Sequence, residues 1–151
     1  MKDVQAGDII AAGWSLGSGV AVNLAIHHPV RSLILCSAYT NMGDTAAYHY
    51  PMFPAGLIRR LLKYRFPSDE RIGKVTCPIF IAHGDRDKIV PFVMSGKLAR
   101  DARAPVTFLP VRGVGHGDLF DTGGPIVFPA IEAWIDKLNT SPNDDTRHFR
   151  R

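Results

Sequence analysis

The sequence predicts an α/β fold, an αβα sandwich built on a mostly parallel sheet. Four short apolar runs alternate with helical patterns, as βαβ units require. The runs are Ile9 to Ala12, Arg31 to Tyr39 (carried by Leu33, Ile34, Leu35 and Cys36), Cys77 to Ala82, and Val106 to Val111. They are apolar at consecutive rather than alternate positions, which fits strands covered on both faces. A chain of 151 residues, 46% apolar and 21% charged, is long enough for one domain with a buried core.

The elements follow in order. Lys2 to Ala6 reads as the tail of a helix leading into the first strand. After that strand, Val20, Ala21, Leu24 and Ala25 are apolar at helical spacing, predicting a helix from about Leu16 to His27 that ends before Pro29. The small residues Gly17, Ser18, Gly19 and Ala21 suit close packing of this helix on the sheet. Pro91 to Ala102 predicts a helix between the third and fourth strands. Pro125 to Leu138 predicts the last helix, with Ile126, Ala130, Ala133, Trp134 and Leu138 on its buried face. No internal repeat is present.

Gly13-Trp14-Ser15-Leu16-Gly17 joins the first strand to the first helix, which is G-x-S-x-G in a strand-turn-helix context. A serine on so sharp a turn has its hydroxyl exposed, and small residues at both glycine positions would let strand and helix close around it. Ser15 is therefore the candidate nucleophile. The third strand ends in His83-Gly84-Asp85-Arg86-Asp87-Lys88-Ile89-Val90-Pro91, and the fourth in Gly113-Val114-Gly115-His116-Gly117. Serine, acid and histidine thus come in that order, each on a loop at the carboxyl end of a strand.

On these residues the chain resembles the α/β-hydrolase superfamily, and more narrowly its serine-peptidase-like and dienelactone-hydrolase-like branch, in which H-G-x-x-D-x-x-V-P marks the acid loop. The resemblance spans about residues 3 to 138. It implies a triad of Ser15, Asp87 and His116 acting on an ester, thioester or amide through an acyl-serine intermediate. Asp85 competes as the acid, but Asp87 fills the aspartate position of the pattern, leaving Asp85 to cap the turn. The Leu16 backbone N–H would be one oxyanion donor, aided by the helix that starts there. The reaction implied needs no cofactor, and the partner implied is a small-molecule or acylated substrate.

The family places its nucleophile after the fifth of eight strands, whereas here it follows the first. The expectation is a truncated α/β-hydrolase fold, a carboxyl-terminal half lacking the loop that supplies a second oxyanion N–H. The first strand then becomes a bare edge with apolar side chains on both faces, open to pairing. This favours a second function class, a catalytically impaired chain that binds or oligomerises through that strand.

Residues 1–139 form the expected partial hydrolase domain, with a helical cap insertion at about 40–74. The cap contains Tyr48, His49, Tyr50, Met52 and Phe53, then a basic amphipathic stretch from Leu57 to Phe66. That stretch could touch a membrane surface or anionic substrates, but a cap helix with a solvated Arg/Lys face is the commoner case. Residues 140–151 read as a disordered basic tail and account for part of the net charge of +4.

No nucleic-acid motif accompanies the charge, and no metal-ligand spacing occurs. Cys36 and Cys77 sit in apolar runs and read as buried thiols. His27-His28 ends the first helix, His83 supports the acid loop, and Asp118 and Asp121 cap the approach to the last helix. Trp14 either floors the pocket or packs in the core. No run is long enough to span a bilayer and no signal peptide is visible, making a cytoplasmic location the default. An amino-terminal anchor in the parent protein would make it membrane-associated.

Overall fold

A computed structural model describes residue 5 and residues 8–54, 56, 57, 60 and 65–140. Four strands, β1 (Ile10–Trp14), β2 (Ser32–Cys36), β3 (Ile79–Gly84) and β4 (Val106–Val111), form one sheet in the order β1-β2-β3-β4. Every pairing is parallel. Between them run α1 (Leu16–His27), α2 (Met42–His49) with a short helical turn at Ser68–Arg71, and α3 (Phe92–Asp101). Helix α4 (Gly124–Thr140) follows β4.

The three-layer expectation holds because neighbouring strand residues face opposite ways. Leu33 and Leu35 of β2 and Ile79 and Ile81 of β3 pack on one face with Ala21 and Val22 of α1 and Leu98 of α3. Ile34, Cys36, Phe80 and Ala82 pack on the other with Val127 and Trp134 of α4. All five positions of β2 are buried and all six of β3.

The element limits shift for local reasons. Strand β1 extends through Gly13 and Trp14, which pair with Leu35 and Cys36. Strand β2 stops at Cys36, since Ser37 turns to φ 47°. Strand β3 begins at Ile79 rather than Cys77, after Pro78, which has no N–H to give. After β2, α2 starts where the Asn41 side chain accepts the Asp44 N–H at 2.8 Å. Much of the basic stretch from Leu57 to Phe66 lies outside the described residues, as do the tail from 141 onward and residues 1–4, 6 and 7.

Strand β1 is at the edge of the described sheet. Beside it, Leu16, Val20 and Leu24 of α1, four residues apart, are all exposed, as is Ile9. Among the described residues no helix is long and apolar enough to cross a membrane.

Candidate active site

The turn between β1 and α1 puts Ser15 in a backbone conformation rarely taken by non-glycine residues, φ 52° and ψ −121°. Backbone bonds hold it there. The Ser15 N–H donates to the Cys36 carbonyl at 2.9 Å, and its own carbonyl accepts the Ser18 N–H and hydroxyl. The two motif glycines are not equivalent, contrary to the sequence expectation. A β-carbon on Gly13 would stand 2.6 Å from the Gly17 carbonyl carbon and 2.8 Å from Ser18 Cα, whereas one on Gly17 would meet open space. Close approach is instead needed at Gly19, where a β-carbon would press on the Tyr39 ring at 3.1 Å. The Tyr39 hydroxyl donates to the Leu16 carbonyl at 3.3 Å, and burial pushes its phenol up to about 12.

The acid and histidine loops are laced together. Asp85 N–H donates to the Val111 carbonyl and Arg86 N–H to that of Val114, each at 3.0 Å. Asp85 Oδ1 accepts the N–H of Gly113, whose φ of 75° lets the loop turn. Asp85 therefore anchors the histidine loop across from its own turn. Asp118 ties the approach to α4 through its backbone carbonyl, which accepts the Gly123 N–H.

These loops bring Ser15, Asp87 and His116 together. His116 Nε2 lies 2.9 Å from Ser15 Oγ, and His116 Nδ1 lies 2.7 Å from Asp87 Oδ2. An ionised carboxylate only accepts, so Nδ1 carries the proton and Nε2 faces the serine hydroxyl as an acceptor. Burial would raise the Asp87 carboxyl. Bonds from His83, the Val90 N–H, His116 and the Ile89 N–H together outweigh it and hold the group well below the usual carboxylate range. The two amides reach Asp87 Oδ1 at 2.8 and 2.9 Å. Trp14, 43% exposed, stacks on His116 at 5.5 Å between ring centroids and meets Phe120 edge-on. That places it beside His116 and half-exposed rather than in the core. Leu16 opens α1, so its N–H has no acceptor within the helix.

The sequence placed His83 in support of the acid loop and gave no sign of its anchor, Ser95. His83, completely buried, places Nε2 3.1 Å from Asp87 Oδ2 and Nδ1 2.6 Å from the Ser95 hydroxyl of α3. Burial pushes the Cys36 thiol up to about 12 and raises Cys77 as well. Among the described residues no group of three or more His, Cys, Asp or Glu is placed to hold a metal ion.

No family model matches the chain. It is 38% identical over 134 residues to an uncharacterized protein of Mycobacterium tuberculosis, covering 89% of this chain and 47% of that protein. It is 34% identical over 105 residues to the lysophosphatidylserine lipase ABHD12 of Danio rerio, covering 57% of this chain and 26% of the lipase. The chain thus spans about half the length of the mycobacterial relative and about a quarter of the lipase. Among solved structures, mouse alpha/beta hydrolase domain-containing protein 10 superposes with a TM-score of 0.63 at 24% identity, over 91% of this chain and 65% of that one. By sequence the chain is thus related to a lipase. With its parallel sheet, helical layers and sequence relatives, the chain belongs to the α/β-hydrolase superfamily.

Proposed function

We propose that the chain carries the acyl-transfer site of a serine hydrolase acting on ester, thioester or amide bonds, with Ser15, His116 and Asp87 as its triad. The observation that carries this reading is the continuous contact from Ser15 Oγ through the His116 ring to Asp87, at 2.9 and 2.7 Å. Ser15 Oγ attacks the carbonyl carbon while its proton passes to His116 Nε2. The resulting imidazolium is stabilised by Asp87, and the oxyanion takes the Leu16 N–H. Collapse expels the alcohol, thiol or amine with the proton returned by His116. Water, activated by the same ring, then attacks the acyl-serine and releases the acid.

A panel of p-nitrophenyl esters and acyl thioesters tests the reading. Turnover by wild type, abolished in Ser15→Ala at equal folded concentration, is the expected result. No turnover of any member by folded protein would count against it.

A second reading is favoured by the place of β1 at the edge of the described sheet and the exposed column Leu16, Val20 and Leu24 beside it. In it the chain associates through this strand with another copy, burying uncharged edge residues that isolated sheets usually protect. Sedimentation velocity of purified protein distinguishes the two: a stable monomer at all concentrations removes this second reading.

A further inference from the structure

Asp87 Oδ2 is shared between two histidines. His116 Nδ1 reaches it from the serine side, and His83 Nε2 reaches it from the interior. The same Nε2 lies 3.0 Å from the Val90 carbonyl. Both neighbours only accept, so Nε2 carries a proton and serves as their donor. On the far side of the ring, Nδ1 meets the Ser95 hydroxyl at 2.6 Å, and that hydroxyl donates to the Ala38 carbonyl at 3.0 Å. His83 and Ser95 are completely inaccessible to solvent. An unbroken line of polar contacts therefore runs from the end of β2 through Ser95, His83, Asp87 and His116 to Ser15.

The geometry points to His83 as a positioning residue for Asp87, with Ser95 as its anchor. This assignment rests on the triad reading given above. Asp87 has four donors: two amides of its own loop hold Oδ1, and two imidazoles divide Oδ2. The amides fix the height of the carboxylate, but they do not by themselves set its rotation toward His116. His83 sets that rotation from a site on a central strand, where its own ring is fixed by α3 through Ser95. Ala38 lies just beyond Ser37, whose N–H donates to the Ala82 carbonyl, and Cys36 accepts the N–H of Ser15. The acid and the nucleophile are thus referred to the same two central strands, β2 and β3.

The test is the rate of fluorophosphonate labelling of Ser15, separated into a binding constant and a maximal rate, alongside the low-field proton resonance of the His116–Asp87 bond. His83→Leu keeps bulk and removes the donor. It is expected to lower the maximal rate about 10- to 100-fold, as for loss of a hydrogen bond to a charged group, and to weaken the resonance with the binding constant unchanged. His83→Gln places an amide N–H where Nε2 stood and is expected to recover to within roughly threefold of wild type, since most of that hydrogen bond is retained. Equal loss in both variants, or no loss in His83→Leu, overturns the assignment. If His83→Leu does not fold, Ser95→Ala decides: a slower maximal rate supports the anchor and a wild-type rate overturns it. Absence of labelling in folded wild type would defeat the hydrolase reading alone, because the resonance still reports whether His83 orients Asp87.

Discussion

Gly84 and Val114 are in backbone contact: a β-carbon on Gly84 would stand 2.8 Å from the Val114 carbonyl carbon and overlap its oxygen. The glycine that follows His83 is thus what lets the histidine loop lie on the end of the acid strand. Gly84→Ala must move one or the other. A destabilisation of about 1 to 3 kcal/mol is expected, as for overpacking in a well-filled interior. Because the displaced loop carries His116, Ser15 labelling should fall with it. Urea unfolding and labelling on the same sample check both.

The motif glycines make a sharper pair. Gly13→Ala collides with the backbone of Gly17 and Ser18, whereas Gly17→Ala enters open space at the second position of α1. Thermal unfolding should show Gly13→Ala strongly destabilised. Gly17→Ala should be unchanged or more stable by up to about 1 kcal/mol, the advantage of alanine over glycine in a helix.

Comparing the two aspartates separates their roles. Asp87 contacts His116, while Asp85 accepts the Gly113 N–H at 2.7 Å. Asp87→Asn should slow acyl transfer roughly a thousandfold or more, as when a triad acid loses its charge. Asp85→Asn keeps an acceptor for Gly113 and should slow it far less. Equal losses would mean that the acid has been misassigned.

The depressed Asp87 carboxyl also gives stability a pH dependence. A group lowered in the folded state contributes fully above its unfolded value, about 3.9, and loses that contribution as pH falls from there through the folded value. The stability difference between wild type and Asp87→Asn should therefore shrink between pH 5 and pH 2, as followed by denaturant titration. A constant difference would show that the bonds to Asp87 do not favour its charged form.

Thiol chemistry follows burial. Cys36 lies in β2 with its thiol pushed up to about 12, while Cys77 is only partly covered. Iodoacetamide should modify Cys77 first in the folded protein, and Cys36 only on unfolding. Intact mass with peptide mapping reads the order.

Much of this fold is legible because its strands announce themselves. Leu33 to Cys36 and Ile79 to Ala82 are apolar at every position, as only strands covered on both faces can be. The site was legible where chemistry constrains sequence locally, in Gly13 to Gly17 and His83 to Pro91. It was less so where contacts are made across the chain. Nothing near Ser95 signals that its hydroxyl meets His83, and nothing near Gly19 signals the Tyr39 ring against it. Gly17 shows the reverse, a motif position for which the described fold supplies no steric reason.

The central claim is that Ser15 is an activated nucleophile, and intact-mass analysis after fluorophosphonate treatment tests it most directly. The account predicts one adduct on wild type, mapped to the peptide containing Ser15, and none on Ser15→Ala. Folded wild-type protein that stays unmodified, or an adduct that persists in Ser15→Ala, would contradict it.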